Sequence, residues 1–241
     1  MARVRYVVHH ALAIAGLVAC SDSSGSGDDS VPLPDREFDA SAPADASDEE
    51  PVLTGLPDAE AGVVDAGPDG PIYTGCNGAL DCERVVFATT KDYGGAIGGV
   101  DGADQRCQTH ADSSQNPRVK GRKFLAWVST AAKPVSGRFP KGTKAYVLPN
   151  GTKVASDWTD LTKGTLQNGI GLNEEGVQPG GSGRVWTGTN NNGTASTNTC
   201  GNWTDTKVTG QRGNLGGAGG GWSNAMADGC ANPGHLYCFE F

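Results

Sequence analysis

Six cysteines follow residue 75, and they constrain the fold of this chain more than any other feature. They are Cys76, Cys82, Cys107, Cys200, Cys230 and Cys238. An even number of cysteines in an exported chain predicts disulfides. None of the spacings is that of a zinc ribbon, and His110 and His235 are the only imidazoles after residue 75, which argues against a structural zinc site. Six cysteines allow fifteen pairings, and the residues alone do not choose between them.

The first twenty residues have the features of an export signal. Arg3 and Arg5 form a charged region, and a mostly apolar run at 11–19 follows, too short to span a bilayer. The run ends Leu-Val-Ala before Cys20, which resembles the bacterial lipobox and implies lipidation of that cysteine. An ordinary signal peptide with a chance cysteine is the alternative. We therefore expect residues 1–20 to be a lipoprotein signal peptide and the protein to be lipid-anchored in the bacterial cell envelope, at the outer membrane or cell surface.

Residues 21–74 have the composition of a spacer. The stretch is rich in Asp, Ala, Pro, Ser and Gly, and contains fourteen acidic residues against one base, Arg36. Such a segment repels itself and buries too little apolar surface to offset its ordering entropy. We predict a disordered acidic tether that holds the next domain away from the membrane. An acidic cation-binding tail is the alternative.

Residues 75–241 are long enough for one domain with a single core. The last residues, 236–241, alternate in the way of a strand, with Leu236, Cys238 and Glu240 on one face. Other strands are predicted from β-branched and aromatic content at 84–90, 124–129, 145–148, 184–188 and 202–205.

Two further elements are predicted around the first three of these cysteines. Asp101 has the features of a helix N-cap. Small apolar residues recur at every fourth position of that helix, and this spacing places Cys107 on the face that points into the core. Cys76 and Cys82 bracket the turn pair Asn77-Gly78, which indicates a small hairpin clipped by a local disulfide.

The order of these features resembles the C-type-lectin-like fold. The motifs closest to its endostatin-like branch are Ala103-Asp104-Gln105-Arg106-Cys107, Phe124-Leu125-Ala126, Val185-Trp186-Thr187-Gly188, Cys200-Gly201-Asn202-Trp203, Gly229-Cys230 and Leu236-Tyr237-Cys238. A family of bacterial lipoprotein domains of unknown function is similar as well. The resemblance implies an α+β fold with small mixed or antiparallel sheets, one or two helices and long disulfide-stapled loops. It also implies the pairs Cys107–Cys238 and Cys200–Cys230, with Cys76–Cys82 as the extra hairpin bridge of long-form members.

Calcium-dependent lectins of this fold use Glu-Pro-Asn or Gln-Pro-Asp together with Trp-Asn-Asp, whose carboxylates bind the ion. Gln178-Pro179-Gly180 and Trp222-Ser223-Asn224 approach these motifs, but both lack the carboxylate. Glu174 and Glu175 are the remaining candidate calcium ligands, with a solvated turn as the alternative. We therefore expect no cofactor, with calcium as the one ion that the sequence leaves open.

The charge after residue 75 differs from that of the whole chain. Sixteen bases and thirteen acids give these residues about +3 (16 − 13), whereas the whole chain carries −8, and 113–156 contains no acid. A basic face would attract sulfated or phosphorylated polymers in a salt-dependent way. The residues predicted to bind such a polyanion are Arg118, Lys120, Arg122, Lys123, Arg138, Lys141 and Lys144. Scattered surface lysines, or a face that meets the acidic tether, are the alternatives.

We expect a binding protein rather than an enzyme. Catalysis needs an acid–base pair or an activated nucleophile, and only His110 and His235 could move a proton once the cysteines are oxidised. No nucleic-acid module is recognisable. We predict a membrane-anchored extracytoplasmic binding or adhesion module that recognises a polysaccharide or matrix-like polyanion through long loops or a basic face. A structural envelope lipoprotein without soluble ligand and a calcium-dependent lectin are the alternatives.

Overall fold

The computed structural model describes residues 75–241, so the predictions for the signal peptide 1–20, for lipidated Cys20 and for the tether 21–74 lie outside the described residues. The elements within this range are β1 Arg84–Ala88, α1 Gly99–Ser113, β2 Phe124–Ala126, α2 Val135–Arg138, β3 Tyr146–Val147, β4 Lys153–Ala155, α3 Trp158–Leu161, β5 Arg184–Trp186, α4 Cys200–Trp203, β6 Thr209–Asn214, a 3-10 turn Gly220–Trp222, β7 Met226–Gly229 and β8 His235–Glu240. The fold is α+β, with a mixed sheet, few helices and three disulfides. No helix within residues 75–241 has the length and apolar character needed to cross a membrane.

Strand β8 lies at the centre of the sheet. Phe239 has partners on both sides, Val86 of antiparallel β1 and Leu125 of antiparallel β2. The first half of β8 pairs in parallel with β5, where Val185 lies opposite His235. The order β4-β3-β1-β8-β5-β6-β7 completes the sheet. The last strand is therefore tied into the fold along both edges.

Side chains alternate along β8 between two cores, as its sequence predicts. Leu236 and Cys238 pack with the buried face of α1, whereas Tyr237 and Phe239 pack with Trp127 and other aromatic residues on the opposite side. All of these side chains are fully buried. Burial of one large apolar side chain contributes about 1.5–3 kcal/mol, so β8 contributes to the stability of both faces of the sheet.

Three disulfides staple the fold, in the pairs that the resemblance implies. Cys107–Cys238 joins α1 to β8 across 131 residues of sequence separation, and Cys200–Cys230 spans 30. Cys76–Cys82 spans 6. No strand forms around this last bridge: the N–H of Ala79 donates to the carbonyl of Cys76 in a single turn, so the predicted hairpin is wrong.

The predicted strand at 202–205 is also wrong, because this segment forms a left-handed turn. Cys200, Gly201, Asn202 and Trp203 have φ angles of 49°, 58°, 58° and 68°. L-residues lose about 1–2 kcal/mol each in this conformation. Two tertiary contacts hold the turn, namely the disulfide of Cys200 and the buried ring of Trp203, whose Nε1 donates to the carbonyl of Ser129.

Four other elements also differ from the sequence-based expectation. Helix α1 begins at Gly99, so Asp101 lies in its first turn, and Gly98 with φ 85° is the N-cap. Strands β4, β6 and β7 were not predicted. The residues of β6, Thr-Gly-Gln-Arg-Gly-Asn, have little intrinsic strand preference, and they are extended because β5 and β7 pair with them on both sides.

Candidate functional site

The loops that lead into β1, β2 and β3 emerge at one end of the sheet. Arg84 at the start of β1 pairs in parallel with Tyr146 at the start of β3, and Phe124 at the start of β2 pairs with Glu240 at the end of antiparallel β8. Neighbouring strands lie about 4.8 Å apart, so the order β3-β1-β8-β2 separates the starts of β2 and β3 by about 14 Å. The acid-free segment 113–156 contains the loops before β2 and before β3, so it reaches this end of the sheet twice.

Four lysines lie on these loops, and we call the surface that they form the lysine end. Lys120 and Lys123 precede β2, and Lys141 and Lys144 precede β3. All four side chains are exposed. None of them forms an ion pair with a carboxylate of residues 75–241. Within the described residues, their charges are therefore not neutralised by a carboxylate.

Arg122 and Arg118 were predicted to belong to this surface, but each forms an ion pair with a carboxylate of the protein. Arg122 is only 6% exposed, because its Nη1 donates to Oε2 of buried Glu240 at 2.8 Å. Arg118 is half-buried and pairs with Glu83 at 2.5 Å. Arg122 therefore does not reach solvent, and the charge of Arg118 is offset by a neighbouring carboxylate.

Arg138 lies near the opposite end of β2, so its assignment to the basic face is wrong. Its Nη2 donates to both carboxylate oxygens of Asp104 on α1, at 2.6 and 2.5 Å. Its Nη1 donates to the carbonyls of Ala126 and Val128. The guanidinium of Arg138, on α2, thus connects this helix with α1 and with the end of β2. It stabilises the contact between these elements.

Contacts between the three loops hold the lysine end in place. The N–H of Thr143, in the loop before β3, donates to the carbonyl of Leu80 at 2.7 Å. The Arg118–Glu83 ion pair connects the loop before β2 with the same Cys76–Cys82 turn. The hydrogen bond and the ion pair therefore hold together the loops that carry the lysines. Loops that are already ordered lose less conformational entropy when a ligand binds.

The candidate calcium ligands Glu174 and Glu175 are occupied by protein donors. Oε1 of Glu174 accepts from Nδ1 of His110 at 2.6 Å, and Oε2 accepts from the N–H of Thr90 at 3.0 Å. Glu175 accepts from the N–H of Gln115. Within residues 75–241, no group of three or more His, Cys, Asp or Glu is arranged to hold a metal.

Electrostatics around Glu174 favour its ionised form. Burial acts to raise the pKa of Glu174, but the hydrogen bond and charge of His110 and the bond from Thr90 outweigh burial and lower it. Nε2 of the same imidazole lies 2.9 Å from the hydroxyl of Tyr93. A hydrogen-bonded chain of carboxylate, imidazole and phenol results, buried at Glu174 and partly exposed at Tyr93. Sequence reasoning missed it because its three members are far apart along the chain.

The second histidine, His235, is fully buried. Its Nδ1 lies 2.7 Å from the carbonyl of Thr89 and therefore donates to it. Nε2 lies 3.0 Å from Oδ1 of Asp92, an ion-pair distance without hydrogen-bond alignment. Asp92 accepts in addition from the N–H of Ser182. This histidine therefore connects β8 to the loop after β1.

Comparison with known proteins adds a family assignment. No curated protein matches the chain. A family model described as a protein of unknown function, DUF1554, matches residues 90–219, which is more than half of the 241 residues and includes α1 and all four lysines of the lysine end. The chain belongs to the DUF1554 family of proteins of unknown function.

Proposed function

We propose that the chain is a lipid-anchored, extracytoplasmic binding module whose lysine end recognises a sulfated or phosphorylated polysaccharide. One observation supports the proposal: four exposed lysines that form no ion pair with a carboxylate of residues 75–241 lie at one end of the sheet, on loops held together by a hydrogen bond and an ion pair. The starts of β2 and β3 lie about 14 Å apart. That span exceeds the size of a single small anion, so the surface suits a polymer with repeated charges.

We further propose that residues 75–241 adopt a C-type-lectin-like fold. The antiparallel pairing of the first and last strands supports this assignment, as does the disulfide between α1 and β8 with a second one nested within its span. Cys20 would place the module in the cell envelope, at the outer membrane or cell surface. In that location an anionic polysaccharide is a physically reasonable partner.

Heparin-affinity chromatography of the full chain at low salt tests the polyanion proposal. The variant K123Q/K144Q removes the two lysines nearest to the strand starts. A lysine near an anionic surface contributes about 1 kcal/mol, so we expect the double variant to bind about 30-fold more weakly. The matched control K133Q/K207Q removes the same charge at exposed positions outside the lysine end and is expected to elute with the wild type.

Three outcomes would contradict the proposal. Failure of the wild type to bind heparin at low salt excludes the basic surface and favours a structural envelope protein. Equal weakening of both double variants shows that net charge alone drives retention. Binding that is abolished by a calcium chelator supports a calcium-dependent lectin instead.

A further inference from the structure

Four Asn-Gly pairs occur in this chain, and each can lose the side-chain amide of its asparagine. They are Asn77-Gly78, Asn150-Gly151, Asn168-Gly169 and Asn192-Gly193. Asparagine is a thermolabile residue, because the backbone nitrogen of the next residue can attack Cγ of its side chain. A following glycine favours the attack, since it has no Cβ to obstruct the approach. All four asparagines are exposed, so exposure does not distinguish between them.

Hydrogen bonds protect two of the pairs. Attack needs a glycine nitrogen that can give up its proton and an asparagine side chain that can rotate towards it. In both pairs the glycine N–H donates to a backbone carbonyl, and Oδ1 of the asparagine accepts from the backbone N–H two residues further on. These bonds run from Gly151 to Leu148 at 2.8 Å, from Thr152 to Asn150 at 3.0 Å, from Gly193 to Asn190 at 2.9 Å and from Thr194 to Asn192 at 3.1 Å. Ring closure at either pair would break both of its bonds.

A hydrogen bond and close packing protect the third pair. Nδ2 of Asn168 donates to the carbonyl of Lys153 at 2.8 Å, which holds the side chain in place. A Cβ on Gly169 would overlap the carbonyl oxygen of Gly216, so the backbone of this pair is packed against another loop. Rearrangement of the backbone around Gly169 would disturb this contact.

Asn77-Gly78 lacks these restraints within residues 75–241. The N–H of Gly78 donates to none of the described residues. Nδ2 of Asn77 lies 3.4 Å from the carbonyl of Gly75, which is longer than an ordinary hydrogen bond. No described atom beyond the adjacent residues lies within 4 Å of the position of a Cβ on Gly78. Ring closure at this pair therefore breaks at most one weak bond and displaces no packed group.

This pair lies in the Cys76–Cys82 turn, which contacts both loops of the lysine end. The carbonyl of Leu80 in the turn accepts from the N–H of Thr143, and Glu83 directly after the turn pairs with Arg118. Deamidation replaces the neutral amide of Asn77 with a carboxylate. A negative charge on this turn opposes the attraction of the four lysines for an anion.

We propose that Asn77-Gly78 is a site of spontaneous deamidation, and that the carboxylate formed there weakens polyanion binding at the lysine end. The nitrogen of Gly78 loses its proton to solvent and forms a bond to Cγ of Asn77. The bond from Cγ to Nδ2 breaks, and Nδ2 takes a proton from water and leaves as ammonia. Water then opens the resulting succinimide ring at either carbonyl, which gives aspartate or isoaspartate. The net change is the gain of one water and the loss of one ammonia.

Incubation of the full chain in heavy-oxygen water at mildly alkaline pH, followed by peptide mass spectrometry, tests the site. Opening of the succinimide ring incorporates a solvent oxygen, so the label marks deamidation that occurs during the incubation. We expect the label to accumulate at Asn77 before the other three asparagines. In urea the four pairs should react at similar rates, because unfolding removes the bonds that protect three of them. Earlier labelling of another pair in the folded chain, or the same order of labelling in urea, overturns the site.

Heparin-affinity chromatography of the variant N77D tests the effect on binding, which rests on the proposed function. One charge near the lysine end changes affinity about fivefold, so N77D should elute at lower salt than the wild type. The matched control N192D adds the same charge to a turn whose Gly193 carbonyl accepts from the N–H of Ser136 on α2, away from the lysine end. We expect N192D to elute with the wild type.

The two measurements separate the modification from its consequence. Elution of N77D with the wild type, or an equal shift of N77D and N192D, overturns the effect of the charge at Asn77. Failure of the wild type to bind heparin overturns the proposed function and this effect with it. The deamidation itself is decided by the oxygen label alone.

Discussion

Arg122 and Glu240 form a buried ion pair, with Nη1 of the arginine 2.8 Å from Oε2 of the glutamate. The same carboxylate accepts from the N–H of Cys76 at 2.8 Å and from the N–H of Val85 at 2.9 Å. The loop before β2, the Cys76–Cys82 turn, β1 and β8 therefore meet at a single side chain. The carboxylate of Glu240 therefore holds the loop before β2, which carries Lys120 and Lys123, against β1 and the Cys76–Cys82 turn.

Replacement of Glu240 by Gln should destabilise the protein strongly. The substitution removes the carboxylate charge that pairs with the buried guanidinium of Arg122, and breaking such a buried pair costs about 3–5 kcal/mol. Urea unfolding at neutral pH measures the change. Glu83→Gln is the matched control, since its exposed pair with Arg118 is worth about 0–1 kcal/mol. A loss below about 1 kcal/mol in E240Q would show that the pair is not a structural requirement.

The two long disulfides should differ in what they contribute. Chain-entropy estimates for closed loops give about 5 kcal/mol for Cys107–Cys238 and about 3.7 kcal/mol for Cys200–Cys230. We therefore expect the double variant C107A/C238A to melt at a lower temperature than C200A/C230A. The reverse order would indicate that Cys200–Cys230 contributes chiefly by holding the left-handed turn at 200–203.

Gly95 should not tolerate a side chain. A Cβ at this position would lie 2.9 Å from Cβ of Cys230 and would overlap Sγ of Cys200, so Gly95→Ala must displace the disulfide. Overpacking of this kind costs about 1–3 kcal/mol. Gly180→Ala is the control, because nothing lies within 4 Å of the added atom. Thermal unfolding that fails to separate the two variants would contradict the packing described around Cys200–Cys230.

Acid should remove the contribution of Glu174 to stability. Its folded-state pKa lies below the ordinary value of 4.5, because the hydrogen bond and charge of His110 and the bond from Thr90 outweigh burial. The ionised form therefore stabilises the fold above that value, and the contribution is lost as the pH falls through the lower folded pKa. We expect Glu174→Gln to cost about 1–3 kcal/mol at pH 7 and progressively less below pH 4.5. A cost that stays constant with pH would contradict the role of its charge.

Much of β8 could be predicted from its residues. The alternation from Leu236 to Phe241 has the period of a strand, and the structure divides the same side chains between two cores. Strand β6 could not be predicted in this way, because its glycines and polar residues are extended only through pairing with β5 and β7. The strand predicted at 202–205 is wrong because 200–203 form a left-handed turn, whose strain is offset by contacts with residues far away in the sequence.

For the candidate site, the sequence identified an acid-free segment but could not separate its lysines from its arginines. Arg122 and Arg138 have the same formal charge as Lys123, yet both are used inside the protein, by Glu240 and Asp104. The carboxylate that neutralises Arg122 lies 118 residues further along the chain. Pairing at such a distance depends on strand register, which composition and charge patterns do not encode.

By itself, the sequence determined the features that depend on neighbouring residues: the period of the last strand, the even set of cysteines and the concentration of positive charge at 113–156. Only the tertiary structure decided which charges reach solvent and which segments adopt a strained backbone. It also decided that Tyr93, His110 and Glu174 form one chain of hydrogen bonds. The physical reason is that burial and pairing arise between segments far apart in the chain, and a local pattern contains no record of those contacts.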